Sequence, residues 1–197
     1  MNIFKRCIVP GKQWYIPFLL ISVLLFACNK KEKISGVDPA FSRYIEGYTS
    51  GVISKASAIR IRLAAETPST HVLNEALKDP LFTLTPSVKG KAYWVDARTI
   101  EFKPDEYLSP GALYTVNFEL SKATDVPDAF KTFTFNVQAV KPGFLVKENG
   151  LKVAGNSKEM MMLYGAIETA DIESSAAIEK LLTAVCQGKS SAIKWEH

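Results

Sequence analysis

Histidine and cysteine, the side chains that most often hold metals or do covalent chemistry, are nearly missing from this chain: two and three in 197 residues. His71 lies in the loop-like stretch Thr67-Pro-Ser-Thr-His-Val and His197 closes the sequence, with no second histidine or cysteine at ligand spacing from either. A zinc site is therefore not expected, and both histidines read as surface residues. Of Cys7, Cys28 and Cys186, the first would leave with an export signal and the second would take a lipid, so one free cysteine remains, no internal disulfide is available and the fold has to hold by burial. A Gly-x-Ser-x-Gly elbow and a phosphate-binding glycine loop after a strand are missing too, which removes the usual marks of hydrolases and nucleotide binders.

Acids are absent from the first 27 positions, where Lys5, Arg6 and Lys12 stand ahead of an apolar run from Phe18 to Ala27. A positive start, a short apolar stretch and a small residue before a cut make an export signal. The run is about half the roughly 20 residues a membrane-spanning helix needs, so a transmembrane anchor is the weaker reading. It ends in Leu24-Leu25-Phe26-Ala27-Cys28, which reads as a lipobox whose Cys28 takes a lipid once residues 1–27 are removed. An ordinary signal peptide with a cysteine at that place is the alternative. Removal also changes the charge: the whole chain has 24 basic and 20 acidic side chains, but without Lys5, Arg6 and Lys12 the net is only +1. The basicity belongs to the leader, and nucleic acid drops out as a partner.

What remains has the material for a core: 47% of the chain is apolar, with 11 Phe and 7 Tyr. Residues 28–39, charged and carrying Gly36 and Pro39, read as a tether. Residues 40–141 alternate with period two. Ile59, Ile61 and Leu63 alternate with Arg60 and Arg62; Tyr114, Val116, Phe118 and Leu120 with Thr115, Asn117 and Glu119; Phe133, Phe135 and Val137 with Thr132, Thr134 and Asn136. Shorter candidates are Leu81–Leu84, Lys91–Val95 and Thr99–Lys103, with turn signals at Val88-Lys-Gly90, Asp96-Ala-Arg98 and Leu108-Ser-Pro-Gly111. Short half-buried strands joined by turns indicate an antiparallel sandwich. Tyr114, a few residues after Pro110-Gly111, is placed like the tyrosine corner of Ig-like sandwiches, whose hydroxyl bonds back to upstream backbone; a core tyrosine without that bond is the plainer alternative.

Residues 142–197 differ. Phe144–Val146 and Leu151–Val153 flank Glu148-Asn-Gly150, a hairpin signal, and Met160–Ile167 reads as another strand. Ile178, Leu181, Leu182 and Val185 follow helical spacing, so a helix is expected over Ile172–Gln187, with Asp171 as its N-cap and Gly188 past its end. Ile193–Trp195 starts another strand-like pattern. The expected fold is mainly β: an antiparallel Ig-like sandwich followed by an incomplete second β domain carrying one α-helix.

Candidates for chemistry are few. Asp105 and Glu106 sit next to a turn and read as a solvated loop; Asp96 and Arg98 flank a tight turn and pair with each other or with local backbone. Cys186, beside the apolar stripe, reads as a small, partly buried residue, and Met160-Met161-Met162 as irregular core filling. Trp94 or Tyr93, if exposed, is a candidate carbohydrate platform.

From Pro86 to Val116 the chain carries Pro86, Gly90, Trp94, Asp96, Arg98, Thr99, Phe102, Pro104, Leu108, Pro110, Gly111, Tyr114 and Val116 in one pattern. It reads Pro-x-x-x-Gly, then Trp-x-Asp-x-Arg-Thr-x-x-Phe-x-Pro, then Leu-x-Pro-Gly-x-x-Tyr-x-Val. This resembles the first sandwich domains of bacterial α2-macroglobulin-like lipoproteins, and the later segment Leu163–Asp171 resembles their passage into a second domain. The resemblance implies an exported, lipid-anchored endopeptidase inhibitor, a trap for proteases, of which this chain is the membrane-proximal base. The Cys-x-Glu-Gln thioester sequence of such traps is absent: Cys186 is followed by Gln187-Gly-Lys. Trp94, Asp96, Arg98, Phe102, Pro110, Gly111 and Tyr114 are then structural residues and Cys28 the lipidation site. The expected partners are a membrane, through Cys28, further domains of a longer chain, and proteases for the whole protein. No catalysis, metal or cofactor is expected, and the place is the cell envelope. The rival readings are an Ig-like surface lipoprotein acting as an adhesin or glycan-binding module, and the non-catalytic front end of an envelope hydrolase.

Overall fold

The computed structural model describes residues 36–67, 71–155 and 160–197. The leader 1–27, Cys28 and most of the tether lie outside the described residues. Twelve strands follow in chain order: β1 Ile45–Tyr48, β2 Gly51–Ile53, β3 Ile59–Leu63, β4 Phe82–Thr85, β5 Gly90–Trp94, β6 Thr99–Pro104, β7 Leu113–Glu119, β8 Thr132–Ala139, β9 Phe144–Val153, β10 Met161–Thr169, β11 Ala184–Cys186 and β12 Lys189–Ser191. Among the described residues one short α-helix, α1, spans Ser175–Ile178.

The first eight strands form two sheets, β1-β3-β6-β5 and β2-β8-β7-β4, facing each other across one core. All pairs are antiparallel except β2 with β8. The chain changes sheets between β1 and β2, so the first-edge strand serves both layers. Four strands on one sheet and a returning Greek-key set on the other is the arrangement of an Ig-like sandwich. The period-two pattern is its cause: Ile59, Ile61, Leu63, Ile100 and Phe102 face inward from one sheet, and Val116, Phe118, Phe133, Phe135 and Val137 from the other. Phe82 and Phe118 pack at 4.9 Å between ring centroids. At one end Phe41 sets its ring edge-on to Phe130 and Phe133. Val37 already packs on this core, so the last residues of the expected tether belong to the fold.

Residues 142–197 depart from expectation in five places. First, β9 runs unbroken through Glu148-Asn-Gly150, which is a bulge and not a hairpin turn; the reversal comes after Ala154. Gly150 has φ +80°, and a Cβ on Gly165, which pairs with Glu148, would lie 2.9 Å from the Lys147 carbonyl, so both glycines are needed for the bulge. The extra residue keeps the apolar side chains together. By register Phe144, Val146, Leu151 and Val153 share one face with Met161, Leu163 and Ile167, whereas without it Leu151 and Val153 would point the other way. The opposite face pairs Lys147 with Glu168 and sets Lys152 over the Tyr164 ring.

Second, the expected helix Ile172–Gln187 shrinks to α1 and a 3₁₀ turn, Glu179–Leu181, and then becomes the β11–β12 hairpin. Leu181 and Val185 of the stripe stay exposed and Ile178 and Leu182 are only half-buried, whereas short helices draw most of their stability from packing such a stripe. Gln187 (φ 51°) and Gly188 (φ 78°) make the two positive-φ positions of a tight hairpin turn. The cap of α1 is Ser174, whose hydroxyl accepts the Ala177 N–H at 3.3 Å, not Asp171. Third, Cys186 is exposed. Fourth, Met160–Met162 do not fill a core; all three are exposed. Fifth, Ile193–Trp195 forms no strand. The ribbon β9–β10 thus stands with both faces open to solvent.

Candidate functional site

The residues singled out in the sequence gather at two turns and the core between them. Asp96 holds the β5–β6 turn: its Oδ1 accepts the backbone N–H groups of Arg98 and Thr99, each at 2.8 Å. These bonds, the Arg98 N–H foremost, keep its pKa below the ordinary carboxylate value. Arg98 reaches across to Glu46 at 3.2 Å, which Arg62 also meets at 3.0 Å. Trp94 is buried to 2% exposure, and Phe102 is buried 5.6 Å from the Phe82 ring.

At the other turn Pro110 and Gly111 (φ +75°) occupy the central positions of a type II turn closed by the Ala112 N–H on the Ser109 carbonyl, 3.1 Å. Tyr114, buried on β7, accepts the Ser109 N–H on its hydroxyl at 2.9 Å. Its oxygen thereby ties the turn to the strand that follows.

Trp94 offers no open platform. A loop folds over it: His71 stacks on the indole with centroids 3.8 Å apart and planes 10° apart, and Asn74 and Leu77 donate to the Trp94 and Ala92 carbonyls at 2.8 Å each. His71 is accordingly half-buried, not a free surface residue, and burial lowers its pKa below 6.5. The same loop covers the β5 edge, which otherwise presents unpaired backbone groups. Tyr93 is half-buried with the Lys103 ammonium 5.3 Å over its ring.

Two arrangements had no sign in the sequence. Glu101 points to the outer face of its sheet yet is buried between Arg60 and Lys103, the latter at 3.2 Å. Burial would raise its pKa, but hydrogen bonds from Arg60 and Lys103 overcome it and the carboxyl sits below its ordinary value. Asp171 and Glu173 bind Ser54 and Lys55 across 116 to 118 positions of sequence, a separation no local pattern discloses. Asp105, Glu106 and Tyr107 line a shallow depression beside Lys55. Among the described residues no group of three or more His, Cys, Asp or Glu stands together as a metal site, and no helix is long and apolar enough to cross a membrane.

The fold and these turns define an Ig-like β-sandwich with solvent-exposed β elements after it. Residues 40–124 match the model of the bacterial Ig domain. No curated protein sequence matches the chain. Among solved structures it is similar to an L,D-transpeptidase from Mycobacterium tuberculosis H37Rv, at 12% identity, TM-score 0.36, 63% of this chain and 49% of that one. A second is L,D-transpeptidase 3 from Mycobacterium tuberculosis in complex with a faropenem-derived adduct, at 13% identity, TM-score 0.35, 64% of this chain and 46% of that one. The chain spans about half the length of these structures. At such TM-scores the likeness carries nothing about activity.

Proposed function

We propose that this chain is a non-catalytic scaffold of a bacterial cell-envelope protein. In this reading a lipid on Cys28 holds it to a membrane and residues 28–39 space it from the surface. The sandwich of residues 40–141 is the rigid base, and residues 142–197 begin a second β domain met by further domains of a longer chain. The observation that carries the proposal is the use made of the motif. Asp96, Pro110, Gly111 and Tyr114 are consumed by two turns, and Trp94 and Phe102 by the core, so none is left facing a ligand. The exposed apolar ribbon is what such a base would offer to neighbouring domains.

The finer reading is the N-terminal base of an α2-macroglobulin-like endopeptidase inhibitor. It rests on the sequence resemblance from Pro86 to Val116. Two assays test the proposal on the natural protein. Labelled palmitate should be incorporated and should be lost in Cys28→Ser. Incubation with endopeptidases should give a complex stable on a native gel that cleaves small substrates but not large ones. Absence of capture, with retention on glycans or matrix proteins instead, would replace the inhibitor reading with the adhesin.

A further inference from the structure

Among the described residues the apolar core, and every partly buried apolar side chain packed against it, lies between Val37 and Ala139, so no side chain of the ribbon joins it. The connection is polar. β8 passes into β9 through Val140-Lys-Pro-Gly143, and the open end of the ribbon is closed by the Ala170 N–H on the Gly143 carbonyl at 2.9 Å. The next residue, Asp171, turns back onto the segment that follows β2. Its Oδ1 accepts the Ser54 hydroxyl at 2.5 Å and the Ile172 N–H at 2.8 Å, and its Oδ2 accepts the Lys55 N–H at 2.7 Å. The Lys55 ammonium, itself buried, meets Glu173 at 2.7 Å and stands 5.7 Å over the Tyr107 ring.

The receiving segment is firmly part of the sandwich. The Lys55 carbonyl accepts the Leu108 N–H at 2.9 Å, and the Ile53 carbonyl accepts the Val140 N–H at 2.8 Å. A ribbon held by one covalent joint ending in glycine swings about that joint. A second attachment at its other leg removes the swing, and here the second attachment is a carboxylate with two donors from the receiving segment, Ser54 and the Lys55 N–H. Hydrogen bonds to an ionised acceptor are roughly twice as strong as neutral ones. With no apolar surface to set the angle, these bonds set it.

We propose that Asp171 and Glu173 form a latch. They clip the base of the ribbon to Ser54–Lys55 and fix the direction in which its apolar face is presented, and their release lets the ribbon swing about Pro142-Gly143. This holds whether or not the chain serves a protease trap.

The test is the distance distribution between spin labels at Thr83 and Lys152, both exposed, in the full chain with Cys7, Cys28 and Cys186 replaced by serine. The latched chain should give one narrow distance. Asp171→Ala should broaden it several-fold while the denaturant midpoint of the sandwich, followed by Trp94 fluorescence with Trp14 and Trp195 replaced by phenylalanine, stays put. If Asp171→Ala also loses the strand signal of the ribbon, Glu173→Gln carries the test, since it leaves the Asp171 bonds in place; about half the broadening is then expected. A parent distribution that is already broad, or variants as narrow as the parent, would overturn the latch.

Discussion

The Tyr114 hydroxyl, on a buried ring, accepts the N–H of the exposed Ser109. Tyr114→Phe is expected to cost about 1 kcal/mol, the usual net worth of one hydrogen bond whose donor can turn to water. Denaturant midpoints at unchanged slope would measure it. His71 gives an acid dependence of a definite sign. Its pKa is lowered in the folded chain, because burial against Trp94 disfavours the charged ring, so the unfolded chain takes up the proton first. Stability should fall as pH drops below about 6.5 toward the folded value, and level off beneath it. His71→Gln should remove that step from a series of urea midpoints between pH 7.5 and 5. Glu101 and Asp96 act lower on the scale. Both are depressed in the folded chain, so their contribution is complete above the ordinary carboxylate pKa and is lost as pH falls through the folded one. Glu101→Gln should cost about 1–3 kcal/mol at neutral pH, since Arg60 and Lys103 are more than half exposed and solvent takes up their charge.

At the scale of elements the bulge in β9 decides which way the ribbon presents its apolar side. Gly165→Ala places a Cβ 2.9 Å from the Lys147 carbonyl and should open the β9–β10 pairing there without touching the sandwich. Amide exchange should rise along Lys147–Val153 and stay unchanged in β6 to β8. The elements also show what the sequence could and could not disclose. β3, β7 and β8 were legible because each has one buried face, so alternation and burial coincide. β1 and β2 were not: three or four residues with Gly47 or Gly51 inside them carry too little pattern, and their pairing with strands far along the chain decides their state. The helix expected over Ile172–Gln187 failed for the opposite reason. Its spacing was right, but the stripe is at most half-buried, and Gln187-Gly188 favours a hairpin. Asp96, Pro110, Gly111 and Tyr114 were read as structural motif residues from turn chemistry, which is local. Asp171 was misassigned as a helix cap because its partners, Ser54 and Lys55, lie on the other side of the sandwich in sequence.

As a whole molecule the described chain divides into a sandwich held by burial and a ribbon held by its own pairing and a polar joint. A two-stranded ribbon is at best marginally stable alone in water. The β10 edge, Met-Met-Leu-Tyr-Gly-Ala-Ile, carries no charge and no proline to discourage pairing with other strands. Leu163→Lys, on its 65% exposed apolar face, should lower self-association in sedimentation without moving the unfolding midpoint of the sandwich. The most direct test of the division is native-state hydrogen exchange on the dilute full chain. β3, β6, β7 and β8 should exchange only through global unfolding, while β9 and β10 exchange through local opening, orders of magnitude faster. Ribbon amides as protected as those of the sandwich, in a chain shown to be monomeric, would contradict it.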